Sequence, residues 1–336
     1  MILPKNKLNH WLAALKKHDL FTPTRNGDVV LFSPFSGEKD VILEGRPTLG
    51  PKGILFPQTE TLFTYRIGKN AEIVDAADKR TKRIIFGIRP CDARAFSVLD
   101  NLFKDEYQDT YYLNAREATT LVGLTCSQPN TNCFCTSLSG SPGERDDVDI
   151  LLTDLGDGYY VDIVTEKGQI LVDENYQLFS EVSDSDESRK EAIIADAEKS
   201  ISRMIDSTDL PNKLGKIFES DYWNKTAMKC IGCGTCTYLC PTCYCFDIQD
   251  EIQGIKGKRA RMWDSCMYPE YTIHTSGHNP RPARMNRIRN RVYHKFKYYH
   301  DNFDVHLCIG CGRCVDKCPV NIDIIDIITH VKEGAQ

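Results

Sequence analysis

The run Cys230-x2-Cys233-x2-Cys236-x3-Cys240-Pro241 recurs as Cys308-x2-Cys311-x2-Cys314-x3-Cys318-Pro319. No other feature restricts this chain so strongly. Three thiols at a spacing of three wind the backbone round one inorganic core, and the fourth, sent away by the following proline, reaches the neighbouring core. The spacing predicts two 4Fe-4S clusters with exchanged ligands: Cys230, Cys233, Cys236 and Cys318 for the first, Cys308, Cys311, Cys314 and Cys240 for the second. Gly232, Gly234, Gly310 and Gly312 let backbone amides approach the sulfides, and such hydrogen bonds help set the potential. Zinc is the alternative, but it favours two CxxC pairs held well apart. A cluster with four thiolates has no open coordination position, so a close pair suits passing single electrons rather than binding substrate.

The chain holds 15 cysteines in 336 residues, below the density of small disulfide scaffolds. Met1 to Lys17 has no apolar run with a cleavage site, and no segment approaches a membrane span. The expected compartment is the reducing cytoplasm, where clustered thiols hold metal rather than pair. Cys91, Cys126, Cys133 and Cys135 complete a ligand set for a candidate third 4Fe-4S cluster, with zinc or plain buried thiols as the alternatives. Cys243, Cys245 and Cys266 do not close a four-ligand site. They are expected to shield the cluster beside Cys240, with His274 or His278 as a fourth ligand if they bind metal instead.

Apolar periodicity organises the rest. Leu8, Trp11, Leu12 and Leu15 mark a helix, and Asn26-Gly27 a hairpin turn ahead of the strand Val29–Phe32. Residues 34–60, rich in Gly and Pro, are expected to form loops along one edge of the domain. The strand 83–88, the helix 93–103 and the strand 119–125 form a βαβ unit, which puts Cys91 and Cys126 at the carboxyl ends of parallel strands. Asp157-Gly158 joins a second hairpin. A helix carrying Ile194, Ala197, Ile201 and Ile205 is expected behind the acidic stretch 183–191, and a short helix over 322–331. The fold class is an α/β N-terminal domain with a partly parallel sheet (1–180), then an α-rich domain (181–336). The latter contains a split two-cluster, ferredoxin-like module with an insertion at 241–307.

Several phrases sit beside the doubled motif: Arg89-Pro90-Cys91-Asp92, Cys133-Phe134-Cys135-Thr136-Ser137, Cys240-Pro241-Thr242-Cys243-Tyr244-Cys245-Phe246-Asp247, Trp263-Asp264-Ser265-Cys266 and Gly277-His278-Asn279-Pro280-Arg281. With them, residues 54–325 resemble the iron-sulfur electron-transfer subunits of cytoplasmic sulfhydrogenases, where it is the beta subunit, and of anaerobic sulfite reductase. The resemblance implies two partners: a flavin-containing subunit that oxidises NAD(P)H, and a catalytic reductase or hydrogenase subunit. It leaves the terminal acceptor open. The other readings are the electron-input subunit of a heterodisulfide-reductase-like complex and a self-contained iron-sulfur reductase. No G-x-G-x-x-G follows a strand and no P-loop is present, which favours a relay over a nucleotide-binding enzyme.

The segment 281–297 carries five Arg, two Lys and no acid, with Tyr293 and Phe296 among them. Basic and aromatic residues together suit single-stranded nucleic acid, but the net charge of −5 argues against a general polyanion binder. The expected role is to hydrogen-bond the anionic clusters and to face an acidic partner, with no nucleic acid.

Overall fold

The computed structural model describes residues 1–37, 41–76 and 81–334. Its strands are β1 (Ile2–Pro4), β2 (Asp19–Asn26), β3 (Val29–Pro34), β4 (Thr59–Arg66), β5 (Glu72–Asp75), β6 (Arg83–Ile88), β7 (Thr119–Leu124), β8 (Ile150–Asp154), β9 (Gly158–Ile163), β10 (Phe246–Gln253) and β11 (Lys256–Trp263). Seven of them form a mixed sheet in the order β1-β9-β8-β7-β6-β2-β3. β2, β6, β7 and β8 run parallel at its centre, and β9, β1 and β3 pair antiparallel at its flanks.

Period-two alternation decides the two faces. Ile84, Phe86, Val122, Leu124, Ile150 and Leu152 pack against Trp11, Leu12 and Leu15 of α1 (Leu8–Leu15). Ile85, Ile88, Leu121 and Leu151 turn the other way. They meet Leu55 of α2 (Lys52–Leu55), Phe96 and Leu99 of α3 (Pro90–Phe103) and Tyr112 of α4 (Thr110–Glu117). The βαβ unit is therefore β6-α3-β7 with parallel strands, and both hairpins form as expected.

Two expectations change. The segment 34–60 contains α2 and the start of β4, although residues 38–40 within it lie outside the described residues. After α5 (Glu166–Asp173), α6 (Asp184–Ser200) begins inside the acidic stretch rather than behind it. Ser183 and Asp186 form a capping box there, and the acids of the first turn complement the positive end of the helix dipole. The same helix stops before Ile201 and Ile205. The Ser200 hydroxyl donates to the Ala197 carbonyl at 2.7 Å, competing with the helical ladder.

The remaining helices are short: α7 (Leu210–Lys216), α8 (Tyr222–Ala227), α9 (Thr235–Tyr238), α10 (Arg284–Tyr293), α11 (Tyr299–Phe303), α12 (Arg313–Asp316) and α13 (Ile324–Glu333). The insertion adds a hairpin, β10 and β11, that joins β4 and β5 in a second, antiparallel sheet ordered β10-β11-β4-β5. This sheet draws strands from both sides of residue 180. It is fastened by Arg261 of β11, which reaches Glu60 at 2.5 Å and also pairs with Asp109.

A fully buried ion pair also joins the two parts. Arg313 in α12 holds Asp92, in the first turn of α3, through two hydrogen bonds of 2.6 and 2.7 Å, with side-chain exposures of 1% and 0%. The Arg313 Nε and Nη2 also donate to the Pro47 carbonyl, each at 3.1 Å. Removing one partner strands the other as an uncompensated buried charge. Arg313→Met is expected to destabilise the chain by about 3–5 kcal/mol, measured by chemical denaturation under anaerobic conditions.

Candidate metal centres

The cysteines of the doubled motif line two adjoining cavities. Cys230, Cys233, Cys236 and Cys318 line one, with Met267, Ile288 and Ile324 around them. Cys240, Cys308 and Cys311 line the other, with Phe134, Lys295 and Ile324; Cys314 and Arg291 border both. Each loop turns at paired left-handed glycines, Gly232 and Gly234 at φ 72° and 74°, Gly310 and Gly312 at 67° and 71°. Burial pushes the Cys308 thiol up to about 11 and the Cys314 thiol up to about 12, so loading with metal displaces protons.

The N-terminal set is brought together as well. Cys91 opens α3 at the carboxyl end of β6, and Cys126 follows β7. The loop after Cys126 brings round Cys133 and Cys135, whose thiols burial raises to about 11 and about 12. Cys91 and Cys126 interact electrostatically, and Cys126 interacts with Cys133 and Cys135. This loop touches the second cysteine loop directly. The Phe134 amide donates to the Gly310 carbonyl at 2.8 Å, and the Cys133 thiol lies 3.8 Å from the Cys311 carbonyl oxygen.

Cys243, Cys245 and Cys266 lie at the open end of the inserted hairpin, where the chain enters β10 and leaves β11. The Asp264 amide donates to the Cys245 carbonyl at 2.9 Å, which brings Cys266 beside Cys245. Hydrogen bonds from the Cys266 thiol and the Tyr271 hydroxyl hold Cys245 down to about 6 despite its burial. His274 and His278 are exposed and meet edge to face with centroids 5.3 Å apart.

The basic run turns inward. Arg287, Arg291 and Lys295 are buried, and a π-helical turn over His294–Tyr298 continues α10, a feature common at functional sites. The Lys295 ammonium donates to the Cys240 sulfur at 3.1 Å, to the Thr242 hydroxyl at 3.2 Å and to the Leu307 carbonyl at 3.0 Å. The Cys240 thiol is held well below its usual range by a hydrogen bond from Cys243, opposed by burial and reinforced by Lys295. Arg284 donates to the Cys230 carbonyl at 2.7 Å and Arg291 to that of Cys236 at 3.4 Å.

Buried donors left without partners show what the centres accept. Among the described residues these include Arg291 Nε at both cavities, Arg89 Nε by Cys126 and Cys91, and Arg46 Nε and Nη1 by Cys311, Cys133 and Cys91. An orphaned buried guanidinium nitrogen is costly, and an anionic sulfur cluster satisfies it. The donor set therefore fits iron-sulfur clusters. Arg46 and Lys52 were not legible in the sequence, because the segment 41–55 has no periodicity to mark them. The phrase Arg89-Pro90-Cys91-Asp92 carried the one available signal for Arg89.

A family model described as a 4Fe-4S dicluster domain matches residues 229–322. Sulfhydrogenase 2 subunit beta of Pyrococcus furiosus is 32% identical over 317 residues, 94% of this chain and 92% of that protein. The chain belongs to the sulfhydrogenase beta-subunit family. It is an iron-sulfur electron-transfer subunit that carries 4Fe-4S clusters. No solved structure matches it. Among the described residues, no helix is long and apolar enough to cross a membrane.

Within this family member, the contact between the N-terminal and second cysteine loops leaves no room for a methyl group. A Cβ on Gly312 would stand 2.3 Å from the Asn132 carbonyl oxygen, at a φ of +71° that disfavours any side chain. Gly312→Ala is expected to cost about 1–3 kcal/mol in strain alone and to loosen the loop 126–142. Thermal melting and limited proteolysis of that loop check it.

Proposed function

We propose that this chain relays single electrons within a multisubunit oxidoreductase, between a flavin-containing subunit that oxidises NAD(P)H and a catalytic reductase or hydrogenase subunit. Cys230, Cys233, Cys236 and Cys318 would hold one 4Fe-4S cluster, and Cys308, Cys311, Cys314 and Cys240 a second. Cys91, Cys126, Cys133 and Cys135 would hold a third. Bound there, such clusters supply one-electron transfer and, with every iron on a thiolate, offer substrate no open position.

One observation carries this reading: the second cysteine set adjoins both the first and the N-terminal set. Cys314 borders the first and second cavities, and the Cys133–Cys135 loop is hydrogen-bonded to the loop of Cys308, Cys311 and Cys314. The residues between them do the protein's part. Phe134, Ile324 and Val292 exclude water. Arg291 and Lys295 compensate buried negative charge, and Asp92 with Arg313 fixes the spacing of the N-terminal and second sets. The relative's designation as a subunit supports docking to other chains.

In the assembled complex, Cys133→Ser with Cys135→Ser is expected to remove about four irons per chain. It should leave reduction of the flavin by NAD(P)H intact and slow delivery to the terminal acceptor by orders of magnitude. Iron and sulfide analysis with stopped-flow absorbance decides it, and turnover at the parent rate takes the N-terminal set off the path. For the exchange of ligands, Cys240→Ala is expected to perturb the cluster of the Cys308 motif and to spare that of the Cys230 motif. Site-selective isotope labelling read by Mössbauer spectroscopy separates the two.

A further inference from the structure

We propose that the face over the first cysteine set docks a small acidic carrier protein that exchanges single electrons with the chain there. The inference rests on the relay proposed above and adds its point of exchange. Of the fifteen cysteines, Cys233 alone is exposed. Its surroundings are open as well. Ile231 and Pro319 line the first cavity and both reach the surface, Ile231 at 60% exposure, and Met228, two residues before Cys230, is 76% exposed. Every cysteine of the second and N-terminal sets is buried or half-buried. Electron tunnelling falls steeply with distance, so a carrier covering Cys233 has a direct approach that the other two sets do not offer.

The second observation is charge. Lys225, Lys229, Arg284 and Lys317 are exposed on the segments that build this face. Lys229 and Lys317 immediately precede the ligands Cys230 and Cys318, and Arg284 donates to the Cys230 carbonyl at 2.7 Å. Among the described residues none of the four makes an ion pair. The segments 222–241, 281–297 and 317–322, which carry them, contain no acid. Glu270 is the acid of the fourth segment, 265–275, whose Tyr268 hydroxyl donates to the Cys233 carbonyl at 3.3 Å. Unpaired cations of one sign around a few apolar side chains steer a partner of the opposite sign.

The make-up of the face selects a carrier that binds and leaves. Permanent subunit interfaces are broad, apolar at their centre and poor in lysine, whereas redox encounters are small and rimmed with charge. Here Met228, Ile231 and Pro319 stand among three lysines and an arginine. The reaction is an exchange of one electron. A reduced carrier gives it up and departs oxidised, the centre held by Cys230, Cys233, Cys236 and Cys318 takes it, and no bond is made or broken.

The test uses the full chain, purified anaerobically with its clusters, and a plant-type 2Fe-2S ferredoxin, an acidic one-electron carrier, as the probe. Stopped-flow absorbance follows transfer from the reduced ferredoxin. The rate is expected to fall as salt rises, and Lys229→Glu with Lys317→Glu to lower it by about tenfold or more at low salt. Carbodiimide, which joins carboxylates to lysines, is expected to link ferredoxin to Lys225, Lys229 or Lys317 of the parent chain, read by mass spectrometry without any turnover. A rate indifferent to salt and to charge reversal overturns the proposal, as do cross-links confined to other lysines or to a second copy of this chain. Photoreduction with deazaflavin, a small donor that needs no docking face, separates the two readings. Cluster bleaching by deazaflavin with no transfer from ferredoxin overturns the docking alone, and no bleaching overturns the relay and the docking together.

Discussion

The buried pair between Asp92 and Arg313 joins positions 221 residues apart and sets where everything else must lie. Asp92 sits where β6 passes into α3, at the carboxyl edge of the parallel sheet, and Arg313 sits inside the second cysteine loop. Because both charges are out of water, neither can be released without stranding the other. The pair thereby presses the second loop onto the loop of Cys133 and Cys135. That approach is close enough that a Cβ on Gly310 would stand 2.6 Å from the Cys135 amide nitrogen. Gly50 serves the same junction, since a Cβ there would meet the Asp92 carboxylate at 2.5 Å.

A second constraint follows from burying so many thiols together. Sulfur centres with net negative charge cannot stay inside a protein unless cations accompany them, and carboxylates near those cations would cancel the benefit. The helix over 284–303 meets this need by directing Arg291 and Lys295 inward, four residues apart, with the π turn falling at Lys295. Lys52, on α2, reaches the carbonyls of Cys240 and Cys243. Three of the seven basic residues of 281–297 are buried. Arg289 keeps to the rim, over the Phe218 ring at 3.6 Å.

The inserted hairpin shows how a segment with no cluster motif serves the centres. β10 is largely exposed and carries Asp247, Asp250 and Glu251. β11 buries Ala260, Arg261 and Trp263 against α2 and the Phe56 ring. Arg261 locks that sheet to the N-terminal part through Glu60 and Asp109, and the open end of the hairpin positions Cys245 and Cys266.

The sequence by itself determined the elements whose signals lie close along the chain: the doubled cysteine motif, the βαβ unit carrying Cys91 and Cys126, both N-terminal hairpins and the last helix. Each is set by spacing or by period, which the covalent chain fixes. It did not reveal the second sheet, because β5 and β10 are exposed and the pairing that joins the sheet, β4 with β11, spans roughly two hundred residues. It misplaced α6, where capping chemistry outweighed apolar periodicity. Arg46, Lys52 and the pairing of Asp92 with Arg313 belonged wholly to the tertiary structure. Which buried cation faces which thiol depends on how two distant loops meet in space, and a charge in sequence carries no sign of whether water or an anion will surround it.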